Sequence, residues 1–251
     1  MENATYNNKY ILAISFISAL GGYLFGFDFA VISGALPFLR IVFELDAWWE
    51  GFLTGSLALG CIVGCLIAGK LSDSYGRKFG LFGAALIFAV SSFGMAIAPQ
   101  LETFVVMRFL SGIGVGMASM LSPIYIAEIS PAQVRGRNVA INQLTIVIGI
   151  LITNLVNYKL SSLGEDSWRW MFGLGVVPSL LFLIGIVWLP ESPRWLIAKG
   201  RLNEARAVLL RFGNSAVVEK TVDEVVNSNK ETSPISFKEV LHKSVRPAVV
   251  I

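Results

Sequence analysis

The apolar residues of this chain gather into six long runs, separated from one another by short polar or charged stretches. A membrane-spanning helix needs about 20 predominantly apolar residues, and each run approaches that length. The pattern therefore predicts six transmembrane helices, at Tyr10–Phe38, Trp48–Leu71, Phe79–Ala98, Thr103–Ala127, Val139–Leu160 and Trp170–Leu189. Tryptophans and tyrosines at several run ends fit the aromatic belts found at membrane interfaces.

After Leu189 the pattern changes to a charged and amphipathic stretch, Pro190–Lys243, which predicts short surface helices. An apolar run restarts beyond Arg246. We therefore expect an all-α membrane protein in three parts: a six-helix transmembrane bundle over residues 1–189, a helical linker over 190–245, and the start of a seventh transmembrane helix over 246–251.

Basic residues are distributed unevenly about the predicted spans. Of the 20 lysines and arginines, 16 fall on one side of the membrane, three fall on the other, and Arg108 lies inside a span. Cytoplasmic loops of membrane proteins carry the excess of Lys and Arg. We expect both termini and the linker to be cytoplasmic, in a multi-pass protein of the cell membrane (plasma or inner).

Composition narrows the class of protein. With 55% hydrophobic residues, 15% charged residues and a mean hydropathy of +0.68, the chain is too apolar for an ordinary soluble domain, so its partner is the lipid bilayer. A net charge of +3 gives no reason to expect nucleic acid. Cys61, Cys65 and the single histidine, His242, do not make a metal site or a disulfide framework. We expect no cofactor, no metal and no enzyme chemistry.

Asp28 stands in a glycine-rich part of the first span, GGYLFGFDFAVISGALP. A carboxylate at the centre of a membrane helix costs about 2.5–3.5 kcal/mol on insertion scales, and such residues mark ion or substrate paths. Glycines also interrupt helices at the binding sites of transporters. Transport is the leading interpretation, and the alternative is an acid that only pairs within a helix bundle.

Arg108 is the second charge within a span. Asp28 lies nine residues before Pro37, and Arg108 lies nine residues after Pro99. If both prolines close their helices on the outer side, each charge lies about 13 Å below that surface at 1.5 Å per residue. The two side chains are then expected to meet.

Small residues recur at four-residue spacing in the second and fourth predicted spans. This spacing is typical of close contacts between membrane helices. The pairs are Gly51 with Gly55, Gly60 with Gly64, and Gly112 with Gly116.

Acids and arginines recur together at the cytoplasmic ends of the predicted helices. We interpret them as a gate of ion pairs, and the alternative is a set of solvated loop charges that contribute little. The gate residues are Asp73, Arg77, Glu128, Arg135, Glu191 and Arg194.

Six motifs together resemble the sugar porter family of the major facilitator superfamily. They are GYLFGFD in the first span, GxxxDxxGRK at Gly69–Lys78, RFLSGIGVGMASMLSPIYIAE in the fourth span, PxxxRG at Pro131–Gly136, NQ at Asn142–Gln143 in the fifth span, and PESPRWL after the sixth span. The resemblance implies half of a twelve-helix major facilitator fold plus a cytoplasmic helical linker. A C-terminal six-helix half is then the missing partner.

The resemblance also implies a function, proton-coupled symport of a monosaccharide by alternating access. It assigns Asp28 as the proton carrier and Arg108 as its modulator. It further implies that Gln143 contacts the sugar and that Phe25 and Ile150 line the site. The Gln amide offers sugar hydroxyls both a donor and an acceptor. On a helical wheel Gln143 and Ile150 lie beside a stripe of small or polar residues in the fifth span, which consists of Asn138, Asn142, Thr145, Gly149, Thr153 and Asn157.

Other functions remain open at this point. A facilitated uniporter with the same fold would use Asp28 and Arg108 only as a structural pair. A sugar sensor would bind without moving its ligand, although such proteins usually carry a long cytoplasmic tail. An inactive truncated half-transporter is the third alternative.

Overall fold

The computed structural model describes residues 4–231 and is built from helices. The helices run as follows: α1 Asn8–Val42, α2 Ala47–Tyr75, α3 Arg77–Ala96, α4 Leu101–Ile129, α5 Ala132–Leu160, α6 Ser167–Gly173, α7 Val176–Trp188, α8 Pro193–Ala198, α9 Leu202–Phe212 and α10 Ser215–Glu231. The predicted start of a seventh span at 246–251 and His242 lie outside the described residues.

Six segments of the described chain are long and apolar enough to cross a membrane. They match the six predicted spans, which confirms the all-α membrane class. The sixth span differs in detail, because it is made of α6 and α7 with a break at Leu174 and Gly175. A Cβ at Gly175 would lie 2.8 Å from both the Phe27 ring and the Ser92 hydroxyl, so the chain is closely packed at this break.

The first span also extends further than its sequence suggested. Pro37 was expected to close this helix, but α1 continues to Val42 with Pro37 inside it. Proline removes one N–H from the helix ladder and leaves the carbonyl of residue 33 without its usual donor. A proline inside a membrane helix is tolerated, because the single missing hydrogen bond costs less than the several unpaired backbone groups of a helix that ends in lipid.

Glycines set the distance between α2 and α4. A Cβ at Gly60 would lie 2.2 Å from the carbonyl oxygen of Phe109, and one at Gly112 would lie 2.3 Å from that of Leu57. These two helices therefore meet backbone to backbone, as the four-residue spacing predicted. The prediction was wrong for Gly51 and Gly55, whose Cβ positions have no other atom within 4 Å among the described residues.

The spans differ in how much of their surface the bundle covers. Over the most apolar window, 56% of residues are buried in α1 and in α4, but only 28% in α2 and 22% in the span that contains α5. Helices α1 and α4 therefore form the centre of the bundle, while α2 and α5 lie at its margins. This arrangement places charged groups of α1 and α4 in the most protected part of the structure.

The linker helices are attached to the N-terminal segment of the chain and to α4. The Asn7 N–H donates to the Phe212 carbonyl oxygen at 2.7 Å, and the Asn214 N–H donates to the Thr5 carbonyl oxygen at 3.1 Å. The Tyr125 hydroxyl of α4 donates to the Pro190 carbonyl oxygen at 2.7 Å. The helices α8 to α10 are thus held against the ends of α1 and α4 that were predicted to be cytoplasmic.

Candidate functional site

A buried ion pair joins the two central helices. An Nη1–H of Arg108 on α4 donates to Oδ1 of Asp28 on α1. The Asp28 side chain is 1% exposed and the Arg108 side chain is 0% exposed. Ser111, one helical turn after Arg108, donates its hydroxyl to the other carboxylate oxygen, Oδ2, at 2.7 Å. Both oxygens of this carboxylate therefore have a donor from α4.

The surroundings of Arg108 hold its guanidinium in place. Its Nη2 donates to the backbone carbonyl oxygen of Asp28 at 3.2 Å. The ring of Phe172 lies 5.5 Å from the guanidinium carbon, within the range of a cation–π contact. Nε has no hydrogen-bond partner in the described structure. The cation is therefore stabilised by one carboxylate, one carbonyl and one aromatic face, while its buried Nε–H is left unpaired.

The pairing was expected, but the depth estimate behind it used a wrong reference point. Because α1 continues past Pro37 to Val42, this proline does not mark the outer end of the helix. The contact instead depends on the close approach of the two helices and on the length of the arginine side chain. Ser111 was missed, although its three-residue spacing from Arg108 places both side chains on one face of α4.

The polar stripe of α5 is a packing surface against α1. The Thr145 hydroxyl donates to the Ala19 carbonyl oxygen at 2.7 Å, and the Asn157 amide donates to that of Ala30 at 3.2 Å. At Gly26, a Cβ would lie 2.1 Å from the Ile146 carbonyl oxygen, so only glycine allows α1 to cross α5 at this distance. The stripe thus determines how closely α1, the helix that carries Asp28, packs against α5.

The three candidate sugar residues lie outside this packed stripe. Gln143 is exposed, and Ile150 and Phe25 are half-buried. The ring of Phe25 stacks on that of Phe29 with centroids 6.5 Å apart, and Phe29 is itself 62% exposed. These side chains are accessible on the surface of the described bundle, as residues that contact a ligand must be.

Four of the six candidate gate residues come together at the start of α3. Arg77 donates to Glu128 at 3.0 Å and to Asp73 at 2.9 Å. One oxygen of Glu191 accepts the backbone N–H of Arg77 at 2.9 Å, so this carboxylate caps the start of α3. Burial raises the pKa of the Glu191 carboxyl above its ordinary value, although the N–H donors around it act in the opposite direction.

The other two candidate gate residues do not join this network. Neither Arg135 nor Arg194 makes an ion pair with another residue within 4–231. Among the described residues, Arg135 donates to the Ser130 carbonyl oxygen alone, at 3.5 Å, and both arginines line a cavity next to Glu128. The structure therefore brings four of the six predicted gate residues into one cluster around Arg77, and Arg135 and Arg194 make no ion pair with that cluster. Both arginines lie in the first turns of their helices, α5 and α8, where long side chains have several conformations available, so spacing alone does not select their partners.

The fold and the buried charge pair define a class. Six apolar helices, a charged pair at the centre of the bundle, and helices attached at one end are features of half a major facilitator transporter. The family model described as "Sugar (and other) transporter" matches residues 14–251. The chain belongs to this sugar transporter family, and it is a multi-pass membrane protein. The family is one of transporters rather than enzymes.

Two relatives illustrate the similarity. The chain is 37% identical over 253 residues to the arabinose-proton symporter of Bacillus subtilis (strain 168), covering 98% of this chain and 54% of that protein. It is 37% identical over 258 residues to the D-xylose-proton symporter of Escherichia coli (strain K12), covering 90% of this chain and 52% of that protein. The chain spans about half the length of the curated relatives it matches.

Solved structures of a related transporter are similar in fold to this chain. The proton:xylose symporter XylE bound to 6-bromo-6-deoxy-D-glucose superposes with a TM-score of 0.86 at 37% identity, covering 90% of this chain and 54% of that one. The inward-open conformation of XylE from E. coli gives a TM-score of 0.79, covering 91% of this chain and 58% of that one. The described bundle therefore has the fold of one half of such a transporter.

Proposed function

We propose that this chain is the N-terminal half of a proton–sugar symporter that carries a monosaccharide by alternating access. The observation that carries the proposal is the Asp28 carboxylate, fully buried at the centre of an apolar bundle and opposed by one arginine. Charged groups inside membrane proteins are costly and are characteristic of ion and proton paths. Symporters among the relatives of this family support the same conclusion.

Asp28 is the proton carrier in this proposal, and Arg108 is its modulator. In the ionised state the carboxylate is held by the guanidinium of Arg108. Protonation removes the charge from Asp28 and weakens its attraction to Arg108. Access of water from one side of the membrane or the other changes how well the charged carboxylate is solvated, so the site binds a proton on one side and releases it on the other.

Sugar binds beside the proton site in this proposal. Gln143 offers both a donor and an acceptor to sugar hydroxyls, while Phe25 and Ile150 provide apolar lining. Their exposure on the described bundle supports the assignment. Gly26, one residue after Phe25, sets the crossing of α1 and α5. Movement of these two helices relative to each other therefore links the sugar contacts to the position of Asp28.

A C-terminal six-helix half completes the transporter in this proposal. The sparsely covered faces of α2 and α5 are the surfaces available to it. Residues 1–189 form the transmembrane bundle, residues 190–245 the cytoplasmic linker, and residues 246–251 begin the seventh helix. Both termini of the chain are cytoplasmic. The cluster of Asp73, Arg77, Glu128 and Glu191, with Arg135 and Arg194 beside it, acts as the cytoplasmic gate.

The test is sugar accumulation in proteoliposomes driven by an inward proton gradient. The chain is co-reconstituted with a matching C-terminal half, and Asp28→Asn is compared with the unaltered chain. We expect Asp28→Asn to abolish accumulation while sugar binding and exchange persist, because Asn keeps the volume of Asp but cannot carry a proton. Accumulation by Asp28→Asn would instead support a facilitator with a structural Asp–Arg pair. The 251-residue chain by itself is expected to give no uptake.

A further inference from the structure

The Ser111 hydroxyl departs from the usual behaviour of serines in helices. Such hydroxyls commonly bond to a carbonyl of their own helix, three or four residues back. Ser119 on the same helix does so, donating to the Gly116 carbonyl oxygen at 3.0 Å, and Ser15 on α1 donates to that of Ile11 at 2.8 Å. Ser111 instead donates across to Asp28 on the neighbouring helix.

The hydroxyl and the guanidinium bind different oxygens of the Asp28 carboxylate. Arg108 binds Oδ1 and Ser111 binds Oδ2, so the orientation of the carboxylate is fixed by two donors on one face of α4. A guanidinium has five donors and no acceptor, whereas a hydroxyl is both donor and acceptor. Of these two side chains, only Ser111 can therefore change from donor to acceptor when Asp28 gains a proton.

We propose that Ser111 is a positioning residue of the proton site, one that stays bonded to Oδ2 of Asp28 in both protonation states. It donates to the carboxylate and accepts from the carboxylic acid. The incoming proton binds Oδ2, because Oδ1 already accepts from a cation, and the new O–H points to the Ser111 oxygen. The Ser111 proton then turns to a carbonyl of α4, as the Ser119 proton already does.

This inference rests on the proposed function of Asp28 as a proton carrier, and it adds a structural consequence. Protonation weakens the ion pair, but the hydroxyl keeps α1 connected to α4 at the same point. The proton site is thereby preserved through the cycle, and Arg108 is the group released to change its contacts.

Among the described residues, no other charged side chain of the packed helices competes for this role. The charged residues of α5 lie near its ends, α7 has none, and the charged residue of α6, Arg169, binds Asp166 and the carbonyl oxygens of Ala96 and Ala98. On α2, the charged residues Glu50, Lys70 and Asp73 also lie near the ends, and those of α3, Arg77 and Lys78, lie at its start. The Cys61 thiol of α2 is close enough to interact electrostatically with Asp28. Among the described residues, the side chains that donate hydrogen bonds to the carboxylate are therefore Arg108 and Ser111.

The test is a pH titration of carboxyl absorption by infrared spectroscopy, on the 251-residue chain in lipid nanodiscs. The band lost in Asp28→Asn identifies the Asp28 carboxyl. In Ser111→Ala we expect the midpoint of this band to move to higher pH by about one unit, since the charged form loses a hydrogen bond. The band of the protonated acid should also change position, because its O–H loses an acceptor. Ser111→Thr should restore both the titration midpoint and the band position. Ser119→Ala is the matched control, and it should change neither of these two quantities.

The results for these variants test the role of Ser111 separately from that of Asp28. An unchanged midpoint and band position in Ser111→Ala would overturn the role of Ser111 while leaving Asp28 as the carrier. If Asp28→Asn removes no titrating band, Asp28 does not exchange protons, and both proposals fail. Should Ser111→Ala not fold, Ser111→Cys supplies a weaker donor of similar size. It should shift the midpoint in the same direction by less, and no shift would count against the proposal.

Discussion

The buried pair of Asp28 and Arg108 predicts a strong thermodynamic coupling between two substitutions. Arg108→Leu leaves a carboxylate with only the Ser111 hydroxyl, and breaking a buried ion pair in this way costs about 3–5 kcal/mol. Asp28→Asn leaves the guanidinium with an amide oxygen that still accepts, so we expect a smaller cost of about 1–3 kcal/mol. The double variant contains neither charge, and it should be more stable than the sum of the two losses by about 1–3 kcal/mol.

The assay is reversible unfolding of the 251-residue chain in mixed micelles, with all four proteins of the cycle compared in one buffer. Arg40 and Glu50 provide the matched control, because they also form an ion pair but the Arg40 side chain is 59% exposed. Their own cycle should show a much smaller coupling, since water screens exposed charges. Additive losses for Asp28→Asn and Arg108→Leu would show that the two groups do not depend on each other, and the reasoning about the buried pair would be refuted.

Three other predictions concern packing, sugar binding and topology. Gly26→Ala should destabilise the bundle by about 1–3 kcal/mol, because the added Cβ meets the Ile146 carbonyl oxygen, whereas Gly55→Ala has open space and should be neutral in the same unfolding assay. Gln143→Ala in the complete transporter should weaken sugar binding by about 1–3 kcal/mol, and an unchanged affinity by titration calorimetry would return Gln143 to a packing role. A single cysteine placed within Lys159–Trp168 should react with impermeant reagents from outside intact cells; reaction only after rupture would reverse the proposed topology.

The helices were largely predictable from sequence because the membrane allows few alternatives. A run of about 20 apolar residues in lipid satisfies its backbone hydrogen bonds only as a helix, so run length alone located all six spans. The same argument explains the error at Pro37, which in water would favour a helix end but here lies inside α1. The break between α6 and α7 depends on close packing at Gly175, which involves residues distant in sequence.

The candidate site was predictable only in part. Two charges inside spans have strong reason to pair, and Asp28 and Arg108 do so. Periodicity showed that α5 has a polar stripe, but it does not distinguish a stripe packed on a neighbouring helix from one that lines an aqueous cavity. Thr145 and Asn157 bond to α1, which decides the matter for these two residues. Ser111 was not predicted, because a serine in an apolar helix ordinarily bonds to its own backbone.

The central claim is that a proton bound at Asp28 moves together with sugar. The most direct measurement is the pH of weakly buffered medium when sugar is added to de-energised vesicles that contain the chain and a matching C-terminal half. We predict that the medium becomes more alkaline as protons enter with sugar, and that Asp28→Asn abolishes this signal while sugar still exchanges. Sugar entry with no change in external pH in the unaltered protein, or an unchanged pH signal in Asp28→Asn, would contradict the account.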